Sequence, residues 1–512
     1  MKSNRSIGCL GRTRKTPLGR RALRVLGIAL FLLPSSTWCE IEQLPVEEYR
    51  LDNGLTVLLL ERHHSPTVAC QIAFKAGSNN ERPGVTGSAH MLEHMMFKGT
   101  RAIGTRNYEA EVPIMEEIDK LENRILVAEV HGGSNEEQVD NWSQRVKQLQ
   151  EEQRQYIVSE ELMSLYKQSG ASGLNAYTSN DYTNYICKLP KNKLELWCWL
   201  ESDRIANPVF REFYAEKEVV HEERRMRVDT DPGGALWELF MGTAYKAHPY
   251  GWMVIGWPSD IENYRRETMQ EFFTRYYAPD NAVVAWVGDF AGEEAKDLIE
   301  RYFGGIPSQP EPPPVVTKEP RQLGERRATL EFDANPTLVM GWHTVSIAHP
   351  NQAVLDVIQF ILSGGRTSRL YRRMREKEQL VSDVEAFALD TEYPGLFVVS
   401  ADPLQSATPE EVERVIREEI DLLKREPVSD WELQRVKNQL QADFVAKLES
   451  NYMLARDLAE YECKAQWEDL EKKDRQRQEV TAEDILRVAN EYLVPRNLSV
   501  TVLKPTKEKT AS

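Results

Sequence analysis

Apolar residues fall into two patterns along this chain. Short, nearly continuous apolar runs alternate with longer stretches of helical spacing, which is the ordering of an α/β region. Leu55 to Leu60 is strand-like and follows Asp52-Asn53-Gly54, a turn signal. Thr67 to Phe74 is a second such run, and the two together read as a hairpin-like opening. The clearest later strand is Ala282 to Val287, closed by Gly288-Asp289. Strands are predicted again at Ala328–Phe332 and Thr337–Thr344, and long helices at Pro409–Leu423 and Asp430–Leu448. The second half repeats the strand-then-helix order of the first, so a duplicated α/β unit is expected.

One stretch departs from that alternation. Between Tyr108 and Gln168, Ile114, Ile118, Leu121 and Ile125 recur at helical steps. His131-Gly132-Gly133-Ser134-Asn135 interrupts the pattern, and Val139, Trp142, Val146 and Leu149 resume it. This predicts an antiparallel helical hairpin at about 108–168. Its charges read as the solvated faces of a structural insert rather than as a partner-binding arm. Residues 307–325 hold five prolines within Pro307–Pro314, the composition of an extended, semi-rigid linker.

Composition bounds the function classes. Of 512 residues, 41% are hydrophobic and 28% charged, as in a soluble globular protein. The formal charge of −16 argues against broad nucleic-acid binding. That charge is unevenly placed. Residues 1–39 carry eight basic residues and no acidic one, then an apolar run, Val25 to Leu33, then small and polar residues. The order is that of a cleavable secretory signal, so a periplasmic or secreted location is expected. An Arg-rich, acid-free leader also describes a mitochondrial presequence, which leaves the mitochondrial matrix as the alternative. Without those eight charges the remainder carries −24. No later segment is long and apolar enough to span a membrane. The six cysteines form no Cys-x-x-Cys pair, and Cys187 and Cys198 read as buried free thiols.

The sharpest chemistry is His90-Met91-Leu92-Glu93-His94, a His-x-x-Glu-His motif. On a helix the two histidines stand one turn apart on one face, where two imidazoles can hold one metal ion. Glu93 reaches the same side. This order is the inverzincin signature. A catalytic zinc usually takes three protein ligands. The third is sought in Glu216 to Met226, where Glu216 and Glu223 are seven apart and share a helix face. One can bind metal while the other orients a ligand or water. Glu222 is the rival, about a quarter-turn away.

These residues, with others along the chain, resemble the pitrilysin/insulinase family of zinc metallopeptidases, which includes mitochondrial processing peptidases. Asp52-Asn53-Gly54-Leu55 matches the family's opening strand, and Gly173-Leu174-Asn175-Ala176-Tyr177-Thr178 its Asn-Ala-x-Thr strand. Ser202-Asp203-Arg204, His248-Pro249-Tyr250-Gly251, Tyr277-Ala278-Pro279-Asp280-Asn281-Ala282 and Gly364-Gly365-Arg366-Thr367-Ser368-Arg369-Leu370 also fit. The resemblance covers nearly all of 45–505 apart from the insert. It implies an α+β fold of two homologous α/β lobes, like that of the processing peptidases. Residues 40–306 would form the zinc-binding lobe, 307–325 the linker, 326–505 a metal-free lobe and 506–512 a tail. It implies one Zn²⁺ per chain on His90, His94 and Glu223, with Glu93 as general base and Glu216 as accessory acid. Asn175, Ala176 and Arg375 would touch a peptide bound as an extended strand. Glu223 follows His94 by 129 residues, longer than the family's usual spacing, and the helical insert accounts for the excess. Ser382 stands where the family's substrate-touching tyrosine is expected, seven after Arg375. Tyr371, Tyr393 or a partner chain could replace it.

The function implied is zinc-dependent endopeptidase activity on peptides or unstructured segments, in a homodimer or a heterodimer with a related chain. The alternatives are a non-catalytic partner subunit and a mitochondrial presequence peptidase.

Overall fold

The computed structural model describes residues 43–131 and 136–506. The expected leader (1–39), the hairpin break at 132–135 and the chain beyond 506 lie outside the described residues. The described residues from Leu44 onward cluster as one compact unit. Among the described residues, eleven strands form two sheets. The first contains β1 (Glu47–Arg50), β2 (Thr56–Glu61), β3 (Thr67–Phe74), β4 (Ser172–Thr178), β5 (Thr183–Pro190) and β6 (Ala282–Gly288), in the order β1-β2-β6-β3-β5-β4. The second contains β7 (Arg326–Phe332), β8 (Thr337–His343), β9 (Val381–Ala388), β10 (Leu396–Pro403) and β11 (Leu498–Pro505), in the order β7-β11-β8-β10-β9.

With β1 set aside, the two orders match strand for strand. In each sheet the opening strand runs parallel to the last strand, which pairs antiparallel with the second. The duplicated unit is therefore visible as topology. The expected opening hairpin does not form. β6 lies between β2 and β3, with Thr56 opposite Val283 and Cys70 opposite Trp286. Every residue of β6 is buried. Such a run belongs inside a sheet with neighbours on both sides, and a local turn signal cannot place a strand from so far along the chain.

Seven helices of the first half position the site. They are α1 (Ser88–Met95), α2 (Tyr108–His131), α3 (Glu136–Arg154), α4 (Glu161–Gln168), α5 (Leu194–Ala206), α6 (Phe213–Arg224) and α7 (Pro232–Ala244). α2 and α3 pack against each other as the insert. Ile114, Ile118, Leu121, Val146 and Leu149 turn inward and join the core of the first sheet. The base of the insert is anchored by the buried pair Glu111–Arg211, at 2.9 Å. Arg211 also donates to the carbonyls of Lys98 and Ile103, each at 3.1 Å. A buried charge pair is tolerated only when its remaining donors are satisfied in this way.

The two lobes exchange helices. α7 packs on β11, β7 and β8 of the second sheet, while the helix Asn451–Lys464 packs on β3 and β6 of the first. Leu236, Phe240 and Met241 of α7 share a core with Val339, Val398 and Leu503. Each such buried side chain contributes about 1.5–3 kcal/mol, so this contact is a lasting one. Buried Asp181 adds a polar tie. It accepts from Asn79 Nδ2 at 2.9 Å, from the backbone N–H of Glu392 at 3.0 Å and from the Tyr250 hydroxyl. Residues 307–325 contain no helix or strand. They are nonetheless tied down, because the Glu319 carboxylate accepts from the backbone N–H groups of Lys246, Ala247 and His248 at 2.9, 2.8 and 3.1 Å.

Candidate metal centre

α1 is fixed at its start and along its length. Its N-cap is Gly87, at φ +85°, which offers no side-chain acceptor. A Cβ there would lie 2.4 Å from the Ile255 carbonyl oxygen and from the Tyr264 hydroxyl. The buried Glu81 supplies the acceptors instead, taking hydrogen bonds from the N–H groups of Gly87 and Ala89 at 2.7 and 2.8 Å. Ala89, Met91, Leu92 and Met95 are fully buried. They leave His90 and His94 together on the opposite face, with ring centroids 4.8 Å apart.

α6 brings two glutamates to that face. Glu223 Oε2 lies 3.4 Å from His94 Nε2 and 3.8 Å from His90 Nε2. Glu216 Oε1 lies 2.8 Å from His94 Nδ1. An ionised carboxylate only accepts, so Nδ1 carries the proton and Nε2 is left facing Glu223. Lys98 Nζ holds Glu216 Oε2 at 2.7 Å. The rival Glu222 pairs instead with Arg225, whose Nε lies 3.0 Å from its Oε2.

One ligand atom each from His90, His94 and Glu223 lies within 4.8 Å of the others. A tetrahedral zinc with bonds of ~2.0–2.1 Å holds its ligand atoms about 3.3–3.5 Å apart, so the three residues fit that ion with small adjustments. Two nitrogens and one oxygen are also a donor set that zinc accepts. The electrostatics agree. Burial, then the neighbouring His94, lowers the His90 imidazole to about 4, so it is neutral and can lend a lone pair. His94 is pulled down by burial but raised more by Glu216 and Glu223, to about 9 in the metal-free site. Glu216 is pushed up by burial yet held down to about 2 by its bonds to His94 and Lys98. Glu223 is lowered, first by its bond to His94.

Glu93 sits beside this cluster, 9% exposed. Burial raises its carboxyl, partly offset by the Thr178 hydroxyl, which donates to Oε2 at 2.6 Å. Thr178 ends β4, the edge strand that also carries Asn175 and Ala176. A cavity of about 1190 Å³ opens on one side, lined by the centre, by Tyr177 and Thr178, and by apolar Val219, Met226, Trp237, Met241 and Trp252. A second, of about 580 Å³, opens on the other side, lined by Phe97, Ile157, Val158, Leu162 and Leu174. Both share Glu93, His94, Asn175 and Ala176. Residues 157–163, where the insert returns to the fold, wall the second cavity.

The structure therefore gathers His90, His94, Glu223, Glu93, Glu216, Asn175 and Ala176 in one place. It does not bring Arg375 there. Arg375 lies on the helical turn Tyr371–Lys377, over the Tyr371 ring and 3.8 Å from Asp383, and lines neither cavity. Ser382 is on β9, where its hydroxyl donates to the Asp402 carbonyl at 3.3 Å. Glu81, Lys98 and Thr178 have no individual role in the sequence reading. Thr178 had a signal, since alternate residues of a strand share a face and Ala176 was already singled out.

The family profile described as insulinase (peptidase family M16) matches residues 56–118, and that of the peptidase M16 inactive domain matches 263–440. The chain is 28% identical over 493 residues to a zinc protease, PqqE, of Helicobacter pylori, covering 95% of this chain and 99% of that one. It is 24% identical over 486 residues to a probable mitochondrial-processing peptidase subunit beta of Schizosaccharomyces pombe, covering 89% and 91%. The crystal structure of a protease from Helicobacter pylori superposes with a TM-score of 0.76 at 27% identity, covering 90% of this chain and 99% of that one. The periplasmic protease PqqL of Escherichia coli shares the fold, with a TM-score of 0.67 at 17% identity, over 90% of this chain and 48% of that one. The chain thus carries M16, insulinase-like domains, arranged as two matching lobes, and is similar to proteins named zinc proteases.

Proposed function

We propose that this chain is a zinc-dependent endopeptidase that cleaves peptides or unstructured protein segments bound as an extended strand. One observation carries the reading: His90, His94 and Glu223 present their ligand atoms within 4.8 Å of one another, beside Glu93 and an open sheet edge. In this reading those three residues hold one zinc ion. When bound, zinc supplies Lewis-acid polarisation of the scissile carbonyl and acidifies water. Glu93 is the general base, taking the proton of the attacking water and passing it to the departing amine nitrogen. Burial raises its carboxyl above the usual carboxylate range, which makes it a stronger base. Thr178 holds the Glu93 carboxylate, and Glu216 fixes the tautomer and orientation of His94.

The peptide adds to β4 by main-chain pairing, next to Asn175 and Ala176. An antiparallel peptide on β4 reaches the first cavity with residues before the scissile bond and the second with residues after it. Export is part of the proposal, supported by the order of charges in 1–39 and by the Escherichia coli relative described as a periplasmic protease. So is pairing with a second related chain, supported by the relative named as a subunit. Among the described residues no helix is long and apolar enough to cross a membrane. Cleavage of an unfolded polypeptide by wild type and by Glu93→Gln, each assayed for zinc, tests the reading.

A further inference from the structure

We propose that Arg227 is a positioning residue for the metal ligand Glu223; the inference rests on the zinc reading above. The two carboxylate oxygens of Glu223 serve different partners. Oε2 faces the histidines, at 3.4 and 3.8 Å, while Oε1 lies 2.9 Å from Arg227 Nη1. A carboxylate with one free oxygen can rotate about its last torsion, or swing both oxygens toward a cation. The guanidinium removes that freedom and presents a single oxygen to the ion. Carboxylate ligands are commonly held in this way by an outer partner, and losing that partner weakens metal binding.

Three further observations separate this contact from an ordinary surface pair. Arg227 is the one Lys or Arg among the residues lining the larger cavity, whose other charged lining is Glu93, Glu218, Glu222 and Glu223. It stands on a π-helical turn, Arg225–Asp229, that continues α6, a local widening often found at functional sites. Its backbone is fixed by the close approach of α7. A Cβ on Gly234 would lie 1.9 Å from the Arg227 carbonyl oxygen, and the Asp231 side chain caps α7 by accepting from the N–H of Gly234 at 2.7 Å. Arg227 is 71% exposed and Glu223 15% exposed, so the pair alone adds little to folding stability. Its effect lies on Glu223.

The test is zinc affinity, measured by competition with a chromogenic chelator on the full-length protein, for wild type, Arg227→Ala and Arg227→Lys. Melting temperatures of the three metal-free proteins are measured alongside. The inference predicts zinc binding weakened about 10–100-fold in Arg227→Ala, recovery to within a few fold in Arg227→Lys, and equal metal-free melting temperatures. Equal zinc affinity in wild type and Arg227→Ala overturns the positioning role and leaves the metal centre standing. An equal loss in both variants overturns it too. A wild type that binds no zinc overturns the metal centre itself.

Discussion

Glu216 Oε1 sits 2.8 Å from His94 Nδ1, on the side of the imidazole away from Glu223. The ring is thereby held between two carboxylates, one on each nitrogen, and Lys98 neutralises the outer one. Replacing Glu216 by Ala frees the ring and its tautomer. Zinc affinity should then fall by about 10–100-fold, with Glu216→Gln retaining more of it. Chelator competition reads this directly, and unchanged affinity in Glu216→Ala would remove the carboxylate from the account.

Thr178 predicts a different signature. Its hydroxyl touches Glu93 and not the ligand set. Thr178→Val should leave zinc content unchanged and lower kcat on the order of tenfold, the worth of one hydrogen bond to a charged group. A loss of zinc in this variant would mean that the substitution disturbs α1 rather than the base.

The exchanged helix gives a stability test far from the chemistry. A Cβ on Gly341 of β8 would lie 2.4 Å from the Phe240 ring of α7. Gly341→Ala should therefore destabilise the protein by about 1–3 kcal/mol through overpacking, as judged by denaturant melts. Pairing it with Phe240→Leu should recover part of that cost, since the smaller side chain vacates the contact.

Glu392 carries the pH dependence of the lobe junction. Burial, then the neighbouring Asp181, pushes its carboxyl up to about 7, while the Tyr393 contact and Lys75 act against the shift. Below ~4.3 the group is neutral in both folded and unfolded chains. As pH rises from there to about 7, the unfolded chain ionises first, so stability falls, and above 7 the loss is complete. Glu392→Gln should thus be more stable than wild type at pH 8, on the order of 2 kcal/mol. The difference should vanish at pH 4. A variant no more stable than wild type at pH 8 would contradict this.

What the sequence disclosed and what it did not divide along physical lines. His90 and His94 are one helical turn apart, so their shared face follows from local spacing alone. The strands at Thr67–Phe74 and Ala282–Gly288 were legible because continuous apolar runs are local too. Their neighbours were not. β6 enters between β2 and β3, and α7 crosses to the second sheet, because burial across the whole fold decides those positions. The same holds at the site. Glu81 caps α1 from a preceding loop, Thr178 reaches Glu93 from an edge strand, and Lys98 meets Glu216 from past the end of α1. No periodicity announces such pairs. Arg375, singled out by resemblance, pairs with Asp383 and lines neither cavity.

We propose that Glu93 transfers the proton at a zinc centre built by His90, His94 and Glu223. It is tested by measuring zinc content and cleavage of an unfolded polypeptide for wild type and Glu93→Gln side by side. The expected result is near-stoichiometric zinc in both proteins and cleavage by wild type alone. Cleavage by Glu93→Gln at the wild-type rate, or a wild type that holds no zinc, would contradict it.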